Sequence, residues 1–90
     1  YFQQPGEHAM IYKIIKIIDK RVDTLSEQFI NKSAPTEAML SEAQHLIQLI
    51  DQKRILARSI DDGVLLELLA QRYRYCKMVE NNLAIGENNA

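Results

Sequence analysis

Apolar residues recur along the first third of the chain in alternating steps of four and three. They form one seam: Ile11, Ile15, Ile18, Val22, Leu25 and Phe29. This spacing places them on one side of an α-helix, where a narrow apolar stripe packs against partner helices. Three lysines, Lys13, Lys16 and Lys20, fall on the opposite side. The pattern predicts an amphipathic helix from about residue 10 to residue 31.

A second helix is predicted after the break at Asn31–Pro35. Ser33 has the chemistry of an N-cap, and Pro35 suits a first helical turn. Apolar residues then follow at helical spacing at Met39, Leu40, Ala43, Leu46, Ile47, Leu49 and Ile50. We expect this helix to span about residues 34–58. The short connection should make it an antiparallel neighbour of the first.

A third helical stretch is predicted at about residues 60–82, followed by a flexible tail at residues 84–90. In one interpretation Ser59 caps this helix, with Asp61 and Asp62 in its first turn. In the other, one helix runs from residue 34 to residue 82 and tolerates Gly63 at about 1 kcal/mol. A single helix would be roughly 70 Å long, and the first helix would cover only half of it. The broken arrangement is therefore favoured.

The first nine residues are interpreted separately. Tyr1-Phe2-Gln3 matches the end of a protease recognition sequence common in expression vectors, and the residues after it resemble a linker. Met10 then stands where a natural start is expected. We assign residues 1–9 to an expression tag or linker and residues 10–83 to a single helical domain.

Composition narrows the class of protein. The chain has 90 residues, of which 47% are hydrophobic and 26% charged, as in a folded domain. Two prolines and three glycines are too few for a turn-rich β fold. The net charge of −1 creates no global attraction to nucleic acid or an anionic membrane. No apolar run is long enough to span a bilayer. The single Cys76 suits a reducing compartment, so we expect a cytoplasmic protein.

The apolar content exceeds what three short helices hide among themselves. The surplus is clearest in the seam of the first helix and at Leu65, Leu66 and Leu69. Contiguous exposed apolar surface usually marks an interaction site. The sequence predicts an all-α fold, an antiparallel helical hairpin or three-helix bundle completed by a second chain. We expect a protein partner, in a homodimer or a hetero-oligomer.

Few residues are suited to catalysis or metal binding. Glu42 and His45 have the Glu-x-x-His spacing of di-iron bundles, but such a site needs two of these pairs. His45 is also the only histidine outside residues 1–9. Cys76 lies on the apolar side of its helix and is predicted to be a small buried hydrophobe. The chain has no Gly-rich phosphate loop and no CxxC motif. We predict no enzyme activity, no cofactor and no metal site.

Bases and aromatic residues alternate between residues 72 and 77. Arg72, Arg74 and Lys77 are the candidate nucleic-acid contacts, since such runs can neutralise and stack on nucleic acid. On a helix, however, Tyr73 and Tyr75 point about 200° apart and cannot form one platform. The favoured interpretation is that the bases lie on a solvated face or pair with nearby acids, and that Tyr73 belongs to the core.

Two segments of the later helices resemble known families. The segment Ser33–Ser59, a short Pro-containing turn followed by Leu, Ala and Ile at helical spacing, resembles the helical-hairpin co-chaperones of bacterial type III secretion needle subunits. The segment Met39–Tyr73 resembles small bacterial connector proteins that act on signalling and biofilm regulation. Both resemblances imply a bacterial cytoplasmic accessory protein. We predict a helical protein–protein interaction module, such as an adaptor, regulator or chaperone-like protein. A nucleic-acid-associated bacterial regulator and a secretion-system co-chaperone are the alternatives.

Overall fold

The computed structural model describes the backbone of residues 5–88 and the side chains of residues 10 and 12–85. Within these ranges the chain forms three α-helices and no strand: α1 (Pro5–Asn31), α2 (Thr36–Ser59) and α3 (Gly63–Asn88). The molecule is elongated, measuring 57 × 19 × 16 Å. The all-α prediction is confirmed, and residues 34–82 form two helices rather than one.

The turn between α1 and α2 differs from the capping expected at Ser33. Lys32 adopts a left-handed conformation with φ 52°, and the Ser33 amide donates to the carbonyl oxygen of Gln28 at 3.1 Å. This geometry closes the C-terminus of α1. Ser33 is thereby part of the α1 ending, and Pro35 occupies the N-cap position of α2 without a side-chain cap. Proline disfavours helical geometry at the residue before it, which moves the start of α2 to Thr36.

The turn between α2 and α3 uses Asp62, not Ser59, as the N-cap of α3. Asp61 is left-handed with φ 55°, and the Asp62 amide donates to the carbonyl oxygen of Ala57 at 3.1 Å. The carboxylate of Asp62 then accepts a hydrogen bond from the Leu65 amide at 3.0 Å. A carboxylate at this position satisfies one of the free amides that begin every helix. The Ser59 hydroxyl instead donates to the carbonyl oxygen of Leu56 at 2.7 Å.

The helices form an up-down-up bundle in which α1 is the most loosely packed member. α2 and α3 approach each other most closely, and α1 makes fewer close backbone approaches to either. Arg21 contacts Glu42 in the first half of α2, whereas Tyr12 contacts Asp62 beyond the C-terminus of α2, so α1 is antiparallel to α2. Tyr12 reaches Asp62 and Asp19 reaches Arg72, which sets α1 parallel to α3. The N-terminal part of α1 therefore lies beside the α2–α3 turn.

The core runs along the axis of the bundle and takes side chains from all three helices. α1 contributes Ile15, Ile18 and Leu25; α2 contributes Met39, Ala43, Leu46, Ile50 and Ala57; α3 contributes Leu65, Leu69, Cys76, Val79 and Leu83. No polar or charged side chain among the described residues is buried. Burial of these apolar side chains is the main stabilising contribution.

Two predicted boundaries differ from the observed helices. α1 begins at Pro5 rather than near residue 10, so the backbone of residues 5–9 is helical. Whether residues 1–9 derive from a tag stays a prediction, and residues 1–4 lie outside the described part of the chain. α3 continues to Asn88, where a flexible tail was expected. None of the helices, over its described residues, has an apolar stretch suited to crossing a bilayer.

Candidate interaction surface

Most residues predicted to meet a partner are covered by the chain itself. Ile15, Ile18, Leu25, Leu65 and Leu69 are buried in the core, and Val22, Phe29 and Leu66 are half-buried against it. The side chain of Ile11 lies outside the described residues. Three helices supply enough neighbouring surface to cover this seam without a second copy. The five buried residues are therefore covered in the folded chain, whereas Val22, Phe29 and Leu66 keep part of their surface exposed.

Several large apolar side chains remain exposed elsewhere. They are Met10, Tyr12, Ile17, Ile30, Ile55, Leu56, Val64, Met78 and Ile85. Single exposed hydrophobic residues are ordinary on protein surfaces, whereas contiguous ones indicate interaction sites.

An ion pair between Arg21 of α1 and Glu42 of α2 joins these two helices at the surface. The Arg21 guanidinium donates two hydrogen bonds to the two carboxylate oxygens of Glu42, each of 2.8 Å. Both side chains are about one-third exposed, at 38% and 31%. The hydrogen bonds from Arg21 hold the pKa of Glu42 below its ordinary value. This paired geometry is the more favourable form of an arginine–carboxylate contact.

Between the Arg21–Glu42 pair and the α2–α3 turn, α1 and α2 each carry a row of apolar side chains. On α1, Met10, Ile14 and Ile17 precede Arg21 at spacings of four, three and four residues, which places them in the same row. On α2, Leu49 and Leu56 follow Glu42 at spacings of seven and seven residues. Because α1 and α2 are antiparallel and the Arg21–Glu42 pair joins the two rows at one end, we infer that the rows run side by side and line one groove. We call these five apolar residues the α1–α2 groove.

The α1–α2 groove combines exposed apolar surface with a polar end. Met10 is 63% exposed, Ile17 56% and Leu56 42%, while Ile14 and Leu49 are half-buried. A shallow pocket of about 330 Å³ lies where Ile17 meets the ion pair, and Lys20 and Thr24 complete its lining. A second apolar row at Ile14 and Ile17 is visible in the sequence. Its exposure depends on how α2 sits against α1.

The nucleic-acid candidates are each paired with an acid. Arg72 is half-buried and contacts Asp19 of α1, and it also donates to the carbonyl oxygen of Leu68 at 3.0 Å. Arg74 lies 3.6 Å from a carboxylate oxygen of Glu67, and Lys77 lies 3.0 Å from one of Glu80. The bases therefore do not form one cluster of free cations.

Of the two tyrosines in this run, the spacing predicted only Tyr73 to belong to the core. Tyr73 and Tyr75 are half-buried against the core. The Arg54 guanidinium lies over the Tyr73 ring, 5.0 Å from its centre, in the geometry of a cation–π contact. An open depression of about 450 Å³ runs along the outside of α3 from Tyr73 to Asn82, and Arg74 and Lys77 contribute to its lining.

The residues considered for metal binding or thiol chemistry are Glu42, His45 and Cys76. Glu42 is occupied by Arg21, and His45 is exposed. Among the described residues, no three His, Cys, Asp or Glu side chains gather in a way suited to a metal ion. Cys76 is fully buried, as its position on the apolar side of α3 predicted. Burial, with the Glu42 carboxylate as a second cause, raises the pKa of the Cys76 thiol to about 11.

Comparisons with protein-family models, with curated proteins and with solved structures each found no match for this chain. The geometry of its surface is therefore the basis on which a function can be argued.

Proposed function

We propose that the chain is a helical protein–protein interaction module that binds a partner protein through the α1–α2 groove. The observation that carries this proposal is the exposure of Met10, Ile17 and Leu56 on the two helical rows that extend from the Arg21–Glu42 pair, in line with the half-buried Ile14 and Leu49. An apolar groove between two helices suits the apolar face of a further helix.

Burial of this surface would supply a useful driving force. Covering a large aliphatic side chain contributes about 1.5–3 kcal/mol when it passes from full exposure to full burial. The groove residues begin partly covered, so each contributes less. Several such contacts, reduced by the cost of association, are compatible with a regulated, reversible complex.

Two substitutions in the groove test the proposal. Ile17→Asp combined with Leu56→Asp places a charge on each wall of the groove without entering the core. Ile55→Asp combined with Met78→Asp is the matched control, because both of these side chains are exposed and lie outside the groove. Immobilised versions of the three proteins are used to capture partners from the native host, with circular dichroism as the check on folding.

We expect one protein to be captured by the wild type and the control and lost with the groove variant. Capture should persist at high salt, since apolar packing responds little to ionic strength. Equal capture by all three proteins would contradict the proposed groove. If nucleic acid were the bound species, and binding fell steeply with salt, the nucleic-acid-regulator alternative would replace the proposal.

A further inference from the structure

The outward side of α1 carries four charged residues in a single row. Lys16, Lys20, Asp23 and Glu27 are spaced by four, three and four residues, so they lie within about 60° of each other around the helix. All four are exposed. None of the ion pairs among the described residues involves them. We call this row the α1 charge stripe.

The order of charges in the α1 charge stripe does not help an isolated helix. The two lysines are four residues apart, as are the two acids, and like charges at this spacing destabilise a helix, whereas Lys20 and Asp23 are the one favourable neighbouring pair within the stripe. Glu27 also lies one turn from the C-terminal end of α1, where the helix dipole favours a cation. The sequence of two positive and then two negative side chains is explained if the stripe faces a surface on which two negative side chains are followed by two positive ones.

A second copy of α1 in antiparallel orientation has this opposite order. A two-fold axis passing between Arg21 and Val22 would set Lys16 against Glu27 of the second copy, and Lys20 against Asp23 of the second copy. The symmetry repeats both contacts, as every isologous interface does. The stripe contains two positive and two negative side chains, so two copies neutralise each other with no charge left over.

The same register brings exposed apolar surface together. Tyr12 and Ile30 are 18 residues apart, which is five full helical turns, so they lie on one edge of α1. In an antiparallel pair of helices related by a two-fold axis, the same edge of each helix lies on the same side of the interface. The axis between Arg21 and Val22 would set Tyr12 level with Asn31 of the other copy, about 1.5 Å along the helix from Ile30, whose side chain is 72% exposed in the single chain. The register set by the charges thus also brings these two apolar side chains within about one residue of each other.

We propose that the chain forms a homodimer through the α1 charge stripe, with two α1 helices packed antiparallel about this two-fold axis. The stripe lies on the outward side of α1, and Lys20 also lines the pocket at the polar end of the α1–α2 groove. The proposal does not rest on the function proposed for that groove, and a dimer would leave the groove walls at Leu49 and Leu56 available to another partner.

Complementary charge reversal tests this dimer. Variant one carries Lys16→Glu and Lys20→Glu, and variant two carries Asp23→Lys and Glu27→Lys. The matched control carries Arg58→Glu and Arg74→Glu, which change the net charge as much as variant one does but lie on α2 and α3. Masses are measured by sedimentation equilibrium from 10 µM to about 1 mM, in about 20 mM and about 500 mM NaCl.

We expect the masses of the wild type and the control to rise with concentration towards twice the chain mass of 10.4 kDa at low salt, because each exposed ion pair contributes little. The dimer affinity should fall about tenfold at high salt because exposed ion pairs are screened. Each reversal variant alone should be monomeric, since its stripe carries a single sign of charge. An equimolar mixture of the two variants should restore a dimer.

Three results would overturn the proposal: a wild type that stays monomeric at about 1 mM in low salt, reversal variants that dimerise like the wild type, or a mixture that stays monomeric. Circular dichroism shows whether the variants fold. If one of them loses helicity, Lys16→Gln with Lys20→Gln decides the question, since it keeps good helix formers and should weaken the dimer about tenfold.

Discussion

Arg72 of α3 donates the Nε–H of its guanidinium to a carboxylate oxygen of Asp19 on α1, across 53 residues of sequence. On the other side of α1, Arg21 pairs with Glu42 of α2. α1 makes fewer close backbone approaches than its neighbours make to each other, yet it is tied to each of them by an arginine–carboxylate pair. Both pairs are consistent with the rotation of α1 that buries Ile18 and leaves Ile17 outside.

The Asp19–Arg72 contact predicts unequal roles for the two arginines of the basic run. Arg72→Gln should lower the free energy of unfolding by about 1 kcal/mol, because it leaves a half-buried carboxylate without its partner. Arg74→Gln should change it by less than about 0.5 kcal/mol, since an exposed pair contributes little. The Arg72 side chain is 22% exposed and that of Arg74 64%. Urea denaturation of both variants makes the comparison, and equal effects would contradict it.

Substitution by aspartate should affect the stability of the protein very differently at two adjacent isoleucines of α1. Ile18 is fully buried, so Ile18→Asp should unfold the protein, because an unpaired buried carboxylate costs several kcal/mol. Ile17 is exposed, so Ile17→Asp should leave the melting temperature nearly unchanged. Thermal melts followed by circular dichroism separate the two cases. A cooperative melt of Ile18→Asp at the wild-type temperature would show that the core assignment of α1 is wrong.

The Arg21–Glu42 pair should make stability depend on pH in the acidic range. The pKa of Glu42 is lower in the folded chain than in the unfolded one, where it is about 4.3. Its contribution is therefore present above about pH 4.3 and is lost as the pH falls through the folded pKa. We expect Glu42→Gln to destabilise the protein by about 1 kcal/mol at neutral pH, a value reduced by solvent screening.

This difference between the wild type and Glu42→Gln should shrink towards zero as the pH falls below the folded pKa. Urea denaturation across the acidic range provides the measurement. Glu67→Gln is the control, because Glu67 is exposed and lies 3.6 Å from Arg74. A Glu42→Gln effect that stayed constant with pH would show that the loss arises from packing rather than from charge.

The buried thiol of Cys76 should be inert in the native state. Its pKa of about 11 leaves almost no thiolate near neutral pH, and its burial blocks reagents. We expect a thiol-specific reagent to label Cys76 only after addition of denaturant. Rapid labelling of the folded protein at neutral pH would contradict the placement of α3.

The same thiol should lower stability at high pH. An unfolded cysteine ionises near 8.5, so the contribution of the protonated buried thiol is complete below about pH 8.5 and lost as the pH rises towards 11. The decline between these values should be steeper for the wild type than for Cys76→Ala. Parallel slopes for the two proteins would indicate that other groups cause the alkaline loss.

The sequence by itself determined the helical character of the chain and much of its core. The steps of three and four that place Ile15, Ile18 and Leu25 in one seam describe a helix whatever surrounds it, because side-chain direction follows from backbone geometry. The same reasoning placed Tyr73 and Cys76 on the inner side of α3. These features depend on neighbours three and four residues away.

Only the tertiary structure decided what covers each apolar row. Ile17 and Ile18 have the same side chain and adjacent positions, and their exposure differs because of where α2 and α3 sit. The capping of α3 by Asp62 rather than Ser59 followed from local turn geometry that propensity alone did not distinguish. Arg72 binds Asp19 rather than standing free because the fold brings together helices far apart in sequence. Periodicity specifies that a helix has an apolar face, whereas packing specifies which part of that face remains for a partner.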